Sequence, residues 1–249
     1  MKFDQYKWTV FVLTLTLFLS ACGDDQSNSE QTPAATAVTQ PTRQLLNSLT
    51  EKIASSPDDA SLYVQRAEVY YEEEGYDEAI EDLNKALSLD STNTVYLHLL
   101  ADVYLDYFKS RQALETMQKA VELHPDKVNS LLKLSEFQLI LKKQKEALQT
   151  LDQILKKDPQ NAEAFFMMGR VFEDMGDDNR AINSYQTAVE NAPELQEVWV
   201  KLGNLFAKKE NKIAMRYFES AIELDTANID ALFAKANYLH TKGRLNEAI

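Results

Sequence analysis

Residues 162–195, AEAFFMMGRVFEDMGDDNRAINSYQTAVENAPEL, decide the fold. They read as a helix, a Gly176-Asp177 turn, a second helix and a proline just past its end. Phe165, Met168, Gly169 and Phe172 form the apolar stripe of the first helix, and Ala181, Tyr185 and Ala188 that of the second, at the three- and four-residue spacings of one helix face. Gly169 and Ala181 are small where the two helices must approach, and the large side chains around them fill the gap. Neither helix can bury its stripe alone.

The template recurs. Ala79, Ala113, Ala147 and Ala181 are spaced by 34 residues, Ala214 follows after 33 and Ala248 after 34. A second column runs Ala67, Ala101, Ser135, Gly169, Gly203, Ala236, and a third runs Ala86, Ala120, Ile154, Ala188, Ala221. Pro125, Pro159 and Pro193 keep the same period, with Pro57 two periods before Pro125 and Ser91 between them. Each proline stands where its missing N–H ends a helix without loss. A fixed period of this length predicts an all-α solenoid of stacked antiparallel helix pairs.

These columns resemble the tetratricopeptide repeat, with its large residue, Leu-Gly/Ala, aromatic, Ala, large apolar, Ala and Pro positions. The resemblance covers residues 60–249 and implies a right-handed superhelix. Five units can be written, 60–93, 94–127, 128–161, 162–195 and 196–228, with an incomplete sixth at 229–249. Gln138 replaces the aromatic, Ile154 replaces a small residue, and the fifth turn, near Glu210 to Lys212, is one residue short. A bend or looser packing is therefore expected near the third unit.

The chain begins with Lys2 and Lys7 before an apolar run from Trp8 to Leu19, too short to span a bilayer comfortably but suited to a secretory leader over residues 1–21. Leu19-Ser20-Ala21-Cys22 resembles the lipobox of bacterial lipoproteins, which implies a lipid on Cys22 after cleavage before it. Cys22 is the only cysteine, so it has neither a disulfide partner nor a companion thiol for a metal. An uncleaved anchor helix fits less well, because the length of the run and its small-residue flank both suit cleavage. Residues 22–41 are polar with two prolines and read as a tether, reaching on the order of 25 Å. Asp24 and Asp25 start this linker and also resemble a surface-export signal.

Residues 42–56 place Leu45, Leu46, Leu49 and Ile53 on one face and stand where the second helix of a unit would be, so they are expected to cap the array. Lys52, where other units have alanine, suits a face turned to solvent. At the other end the second helix of the sixth unit breaks off at Ile249, too soon to cover Leu232, Ala236 and Leu239. A longer parent protein or a partner against this end would account for that.

The chain carries 26 basic and 39 acidic residues. Loss of the leader with Lys2, Lys7 and Asp4 leaves a net charge of about −14, which repels nucleic acid phosphates. His98, His124 and His240 lie in different units, and no His-x-x-x-His, Cys-x-x-Cys or Gly-rich phosphate loop is present. The runs Glu72-Glu73-Glu74 and Asp177-Asp178 fall at helix ends and turns, as solvated charge does. No cofactor, metal site or catalytic residue is expected.

What remains is surface. The resemblance implies that first helices line an inner groove which receives extended or helical segments of other proteins. Carried over position by position, the groove has the row Val64, His98, Leu132, Phe166, Val200, Phe233 and, four residues on, Glu68, Asp102, Glu136, Arg170, Asn204, Asn237. Some members grip a carboxylate there with Lys and Asn, and the acids of the first three units depart from that clamp. The expected ligand is a segment with apolar anchors and basic flanks between the first and fourth units; packing of the apolar row between neighbouring helices is the competing reading. The expected function is a non-enzymatic scaffold for envelope proteins or peptides, lipid-anchored in the cell envelope at the outer membrane, with the side left open. It resembles repeat-bearing lipoproteins that assist pilus secretins, outer-membrane assembly or cell-wall hydrolases. The other reading is a docking module or accessory subunit of a larger envelope enzyme, secretion or transport system.

Overall fold

The computed structural model describes residues 39–244. The leader, Cys22 and the tether up to residue 38 lie outside the described residues, as does Ala248. Among the described residues the chain forms twelve α-helices and no strand. A lone helix, α1 (Gln40–Ser55), precedes five helix pairs: α2 (Ala60–Glu72) with α3 (Tyr76–Leu89), α4 (Thr94–Asp106) with α5 (Ser110–Leu123), α6 (Val128–Ile140) with α7 (Gln144–Lys157), α8 (Ala162–Asp174) with α9 (Asp178–Asn191), and α10 (Gln196–Lys208) with α11 (Ala214–Leu224). The helix α12 (Ile229–Thr241) follows. Each helix packs on the next, and first helices of successive units also touch, α4 on α6, α6 on α8 and α10 on α12. The first helices therefore share the inner side of this α-solenoid.

Local chemistry sets these elements. The residues just before the first helices are Asp59, Asn93, Asn161 and Asn228 in four units, and each side chain accepts a backbone N–H of the first turn. Lys127 and Leu195 hold the same place without a side-chain cap. Every first helix closes in one way: the second residue past its cap donates its amide five residues back, as Gly75 does to Tyr70, Lys109 to Tyr104, Lys143 to Gln138 and Asp177 to Phe172. That closure needs a left-handed residue at the turn. Gly176 (φ 75°) and Gly243 (φ 71°) meet the need without steric cost, but Glu74, Phe108, Lys142 and Glu210 hold it at φ 54–61°, at roughly 1–2 kcal/mol each.

The three small-residue columns are the seams of the array. Ala79, Ala113, Ala147, Ala181 and Ala214 are completely buried, as are Ala86, Ala120, Ile154, Ala188 and Ala221. In the third unit, Ile154 fills its space, and buried Gln138 accepts a hydrogen bond from Thr150 Oγ1 at 2.8 Å. The backbones of α6 and α7 approach each other less extensively than those of α8 and α9, as a large residue in a small-residue seam requires. In the fifth unit the missing residue delays α11, which has 11 residues against 14 in the other second helices.

The two ends differ from the interior. α1 takes in Gln40 and Pro41, assigned above to the tether, because a proline in the first turn removes an amide that has no partner there anyway. Leu49 and Ile53 are buried against the array, but Leu45 is 49% exposed. It stands in the column of Ala79, which packs on the first helix of its own unit, and among the described residues α1 has no such partner. At the other end Leu232 is 43% exposed, whereas Leu239, expected to be uncovered, is buried beside the closing turn, where Arg244 donates to its carbonyl. Among the described residues no helix is long and apolar enough to cross a membrane.

Candidate partner-binding face

The inner face is built from the fifth and ninth residues of each first helix, one turn apart on the same side. In the first four units most of these side chains are engaged within the array. Val64, expected as an apolar anchor, is buried in a cluster with Leu97 and Leu100 and offers a ligand no surface. Leu132 packs onto the core of the third and fourth units, and Phe166 lies with its ring 6.0 Å from that of Tyr185. The apolar row here serves chiefly the packing between helices.

The acids are not free either. Lys133 Nζ lies 2.5 Å from Asp102 Oδ2, and Arg170 Nη1 lies 3.1 Å from Glu136 Oε1, so two of the three carboxylates expected to steer a ligand meet a cation of the array. Lys201 extends the series to Glu173 at 3.7 Å. Burial raises the Asp102 pKa, against the Lys133 hydrogen bond and charge, which lower it. Of the three acids in this row, exposed Glu68 alone has no ion pair among the described residues.

His98 Nε2 and Ser130 Oγ are 2.9 Å apart, a separation that would also suit a base and a nucleophile. Ser130 is completely buried, and burial, aided by the charges of Lys133 and Lys127, pulls the His98 pKa down to about 4. So weak a base on an inaccessible hydroxyl is a link between α4 and α6, not a catalytic pair. Because the unfolded imidazole titrates near 6.5, the unfolded chain binds the extra proton as pH falls from 6.5 toward 4, and stability is lost over that window. Asp102, with its raised pKa, acts in the opposite sense but in the carboxylate range below. Thermal melts should therefore fall between pH 7.5 and 5.5 by more in the native chain than in a His98→Gln variant; equal falls would remove His98 as the cause.

The inner face opens at its far end. A cleft of about 540 Å³ lies between α10 and α12, lined by Gln196, Val200, Lys201, Asn204, Phe233 and Asn237. Phe233 is 72% exposed, and Asn204 and Asn237, in the same column, are both exposed. Their amides can donate and accept, so they can pair with both groups of an extended peptide backbone. Apolar surface for side chains and amides for main chain thus stand together here. Among the described residues no three His, Cys, Asp or Glu side chains are placed to hold a metal ion.

Family models of the tetratricopeptide repeat match residues 105–171 and 163–194. Residues 105–194 of this chain carry tetratricopeptide repeats. Residues 44–120 match a further family, described as anaphase-promoting complex, cyclosome, subunit 3. Among solved structures, a tetratricopeptide repeat protein from Parabacteroides merdae is similar with a TM-score of 0.66 at 15% identity, over 83% of this chain and 82% of its own. PilF of Pseudomonas aeruginosa gives a TM-score of 0.61 at 19% identity, over 76% of this chain and 86% of its own. MamA from Desulfovibrio magneticus gives 0.54 at 20% identity, over 68% of this chain and 97% of its own. At these identities the likeness shows the fold alone. No curated protein matches the chain.

Proposed function

We propose that this protein is a non-enzymatic scaffold of the bacterial cell envelope, held to a membrane by lipid on Cys22, whose repeat array binds an extended segment of a partner protein. The cleft between α10 and α12 carries the binding part of this reading. It is the place on the inner face where an exposed apolar ring, Phe233, adjoins two exposed amides of one column, Asn204 and Asn237. The sequence Leu19-Ser20-Ala21-Cys22 after a short apolar run supports the anchor, with two or more acyl chains giving stable attachment.

One experiment tests both parts. A photo-cross-linker replaces Asn237 in the cleft or Lys119 on the exposed side of α5, in cells, with and without Cys22→Ser. The expected result is a discrete cross-linked partner from position 237 only, weakened about fivefold or more by Val200→Ala with Phe233→Ala. Cys22→Ser should release the chain from the membrane fraction. A partner captured equally from both positions would overturn the cleft, and a cleaved Cys22→Ser chain that stays with membranes would overturn the anchor.

A further inference from the structure

Phe108 is the most exposed large apolar side chain among the described residues, at 92%, and it holds a left-handed backbone position, φ 59°. A bulky residue is rare there. At the equivalent turns of the other units stand Glu74, Lys142, Gly176, Glu210 and Gly243, all polar or glycine. The ring therefore stands at a position whose backbone favours glycine, and it gains no burial in the monomer. Its base is firm: the neighbouring Tyr107 ring stacks on Tyr76 at 5.1 Å, donates from its hydroxyl to Asp77 at 2.9 Å and carries Lys109 over its face.

Charge on either side of Phe108 has a pattern. The turn of the first unit is acidic, with Glu72, Glu74 and Glu78 exposed, and the turn of the third unit is basic, with Lys142, Lys143 and Lys145 exposed. Asp174 and Glu146 offset the basic turn only in part. Side-chain bonds tie the turns of the first and second units (Tyr107 and Lys109 to Asp77), the third and fourth (Lys142 to Asp174) and the fourth and fifth (Lys208 to Asp178). Among the described residues none ties the second turn to the third, so the ladder is interrupted beside Phe108.

We infer that this turn edge is an isologous docking surface for a second copy of the chain, with the twofold axis at Phe108. A twofold axis there sets ring against ring and the acidic first turn of one copy over the basic third turn of the other, twice, which is the self-complementarity such an interface requires. Each copy offers one exposed ring, Phe108, rimmed by charged side chains. The association is therefore weak and sensitive to salt.

Sedimentation of the full chain over a concentration series, under reducing conditions so that Cys22 cannot link two copies, tests this. The native chain is expected to pass from monomer to dimer as concentration rises, and less readily in high salt. Phe108→Gly keeps the left-handed turn and relieves its crowding, so the fold is retained while dimerisation weakens by about tenfold or more. Glu72→Lys with Glu74→Lys should weaken it similarly, as should Lys143→Glu with Lys145→Glu, and the two pairs combined should restore it. A native chain that stays monomeric at its solubility limit would overturn the inference. So would a dimer indifferent to Phe108→Gly, or charge reversals that fail to compensate.

Discussion

Arg66→Leu should destabilise the N-terminal end of the array by about 3 kcal/mol, while Arg66→Leu combined with Asp82→Thr should lie close to the native chain. Arg66 Nε and Nη2 each donate to an Asp82 oxygen at 2.7 Å, a fork between α2 and α3, and Nη1 reaches Thr50 Oγ1 on α1 at 3.1 Å. Asp82 is only 4% exposed, so removal of the cation strands a carboxylate that water barely reaches. The Arg66 side chain keeps 18% exposure, which puts the expected cost at the low end of the range for buried pairs. The chain itself supplies the apolar replacement. The column of Arg66 continues Leu100, Leu134, Met168, Leu202, and that of Asp82 continues Thr116, Thr150, Ser184. Denaturant midpoints of the single and double variants, with hydrogen exchange resolved by helix, decide the matter. A single variant as stable as the native chain would show that the fork contributes nothing; loss of protection confined to α1, α2 and α3 would show that each unit leans only on its neighbours.

The all-α solenoid was legible because its cause is periodic. A column of alanines 34 residues apart has one physical use, close helix contact repeated at each unit, and those alanines are fully buried wherever they are described. Asp59, Asn93, Asn161 and Asn228 carried the same period as caps and could have been read with equal ease. The left-handed turn could not. Only Gly176 and Gly243 announce it by residue type, while Glu74, Phe108, Lys142 and Glu210 occupy it against their preference.

The inner face was legible as positions and not as states. Val64 and Phe233 share a column, yet one is 8% and the other 72% exposed, because α2 lies between α1 and the following units whereas among the described residues no helix follows α12. Asp102 and Glu136 looked like free acids because their partners, Lys133 and Arg170, stand 31 and 34 residues away, on the next first helix. A repeat alignment gives the register of each residue, but not which side chain leans across to the neighbouring unit.

Gly169→Ala should cost about 1–3 kcal/mol, although alanine is the better helix former by about 0.5–1 kcal/mol. A Cβ at Gly169 would meet the Tyr185 ring at 2.3 Å, and one at Gly203 would meet the Phe218 ring at 2.3 Å. Both rings are completely buried, so neither can swing aside into solvent. Any retreat of Tyr185 also strains its hydroxyl bond to Glu173 Oε2, 2.8 Å. The sizes are matched from unit to unit: Ala67 stands opposite Leu83 and Ala101 opposite Met117, and only where an aromatic occupies the second helix does the first helix carry glycine. Crowding of more than an ångström outweighs the gain in helix propensity, so the sign is destabilising. The pairing also predicts the rescue. Gly169→Ala with Tyr185→Leu rebuilds the seam of the first unit inside the fourth and should recover most of the loss, with a coupling energy of about 1 kcal/mol or more between the two changes. Additive effects in that double-mutant cycle, or a Gly169→Ala chain more stable than the native one, would mean that the helices of the fourth unit separate freely and that the glycine is not there to admit the ring.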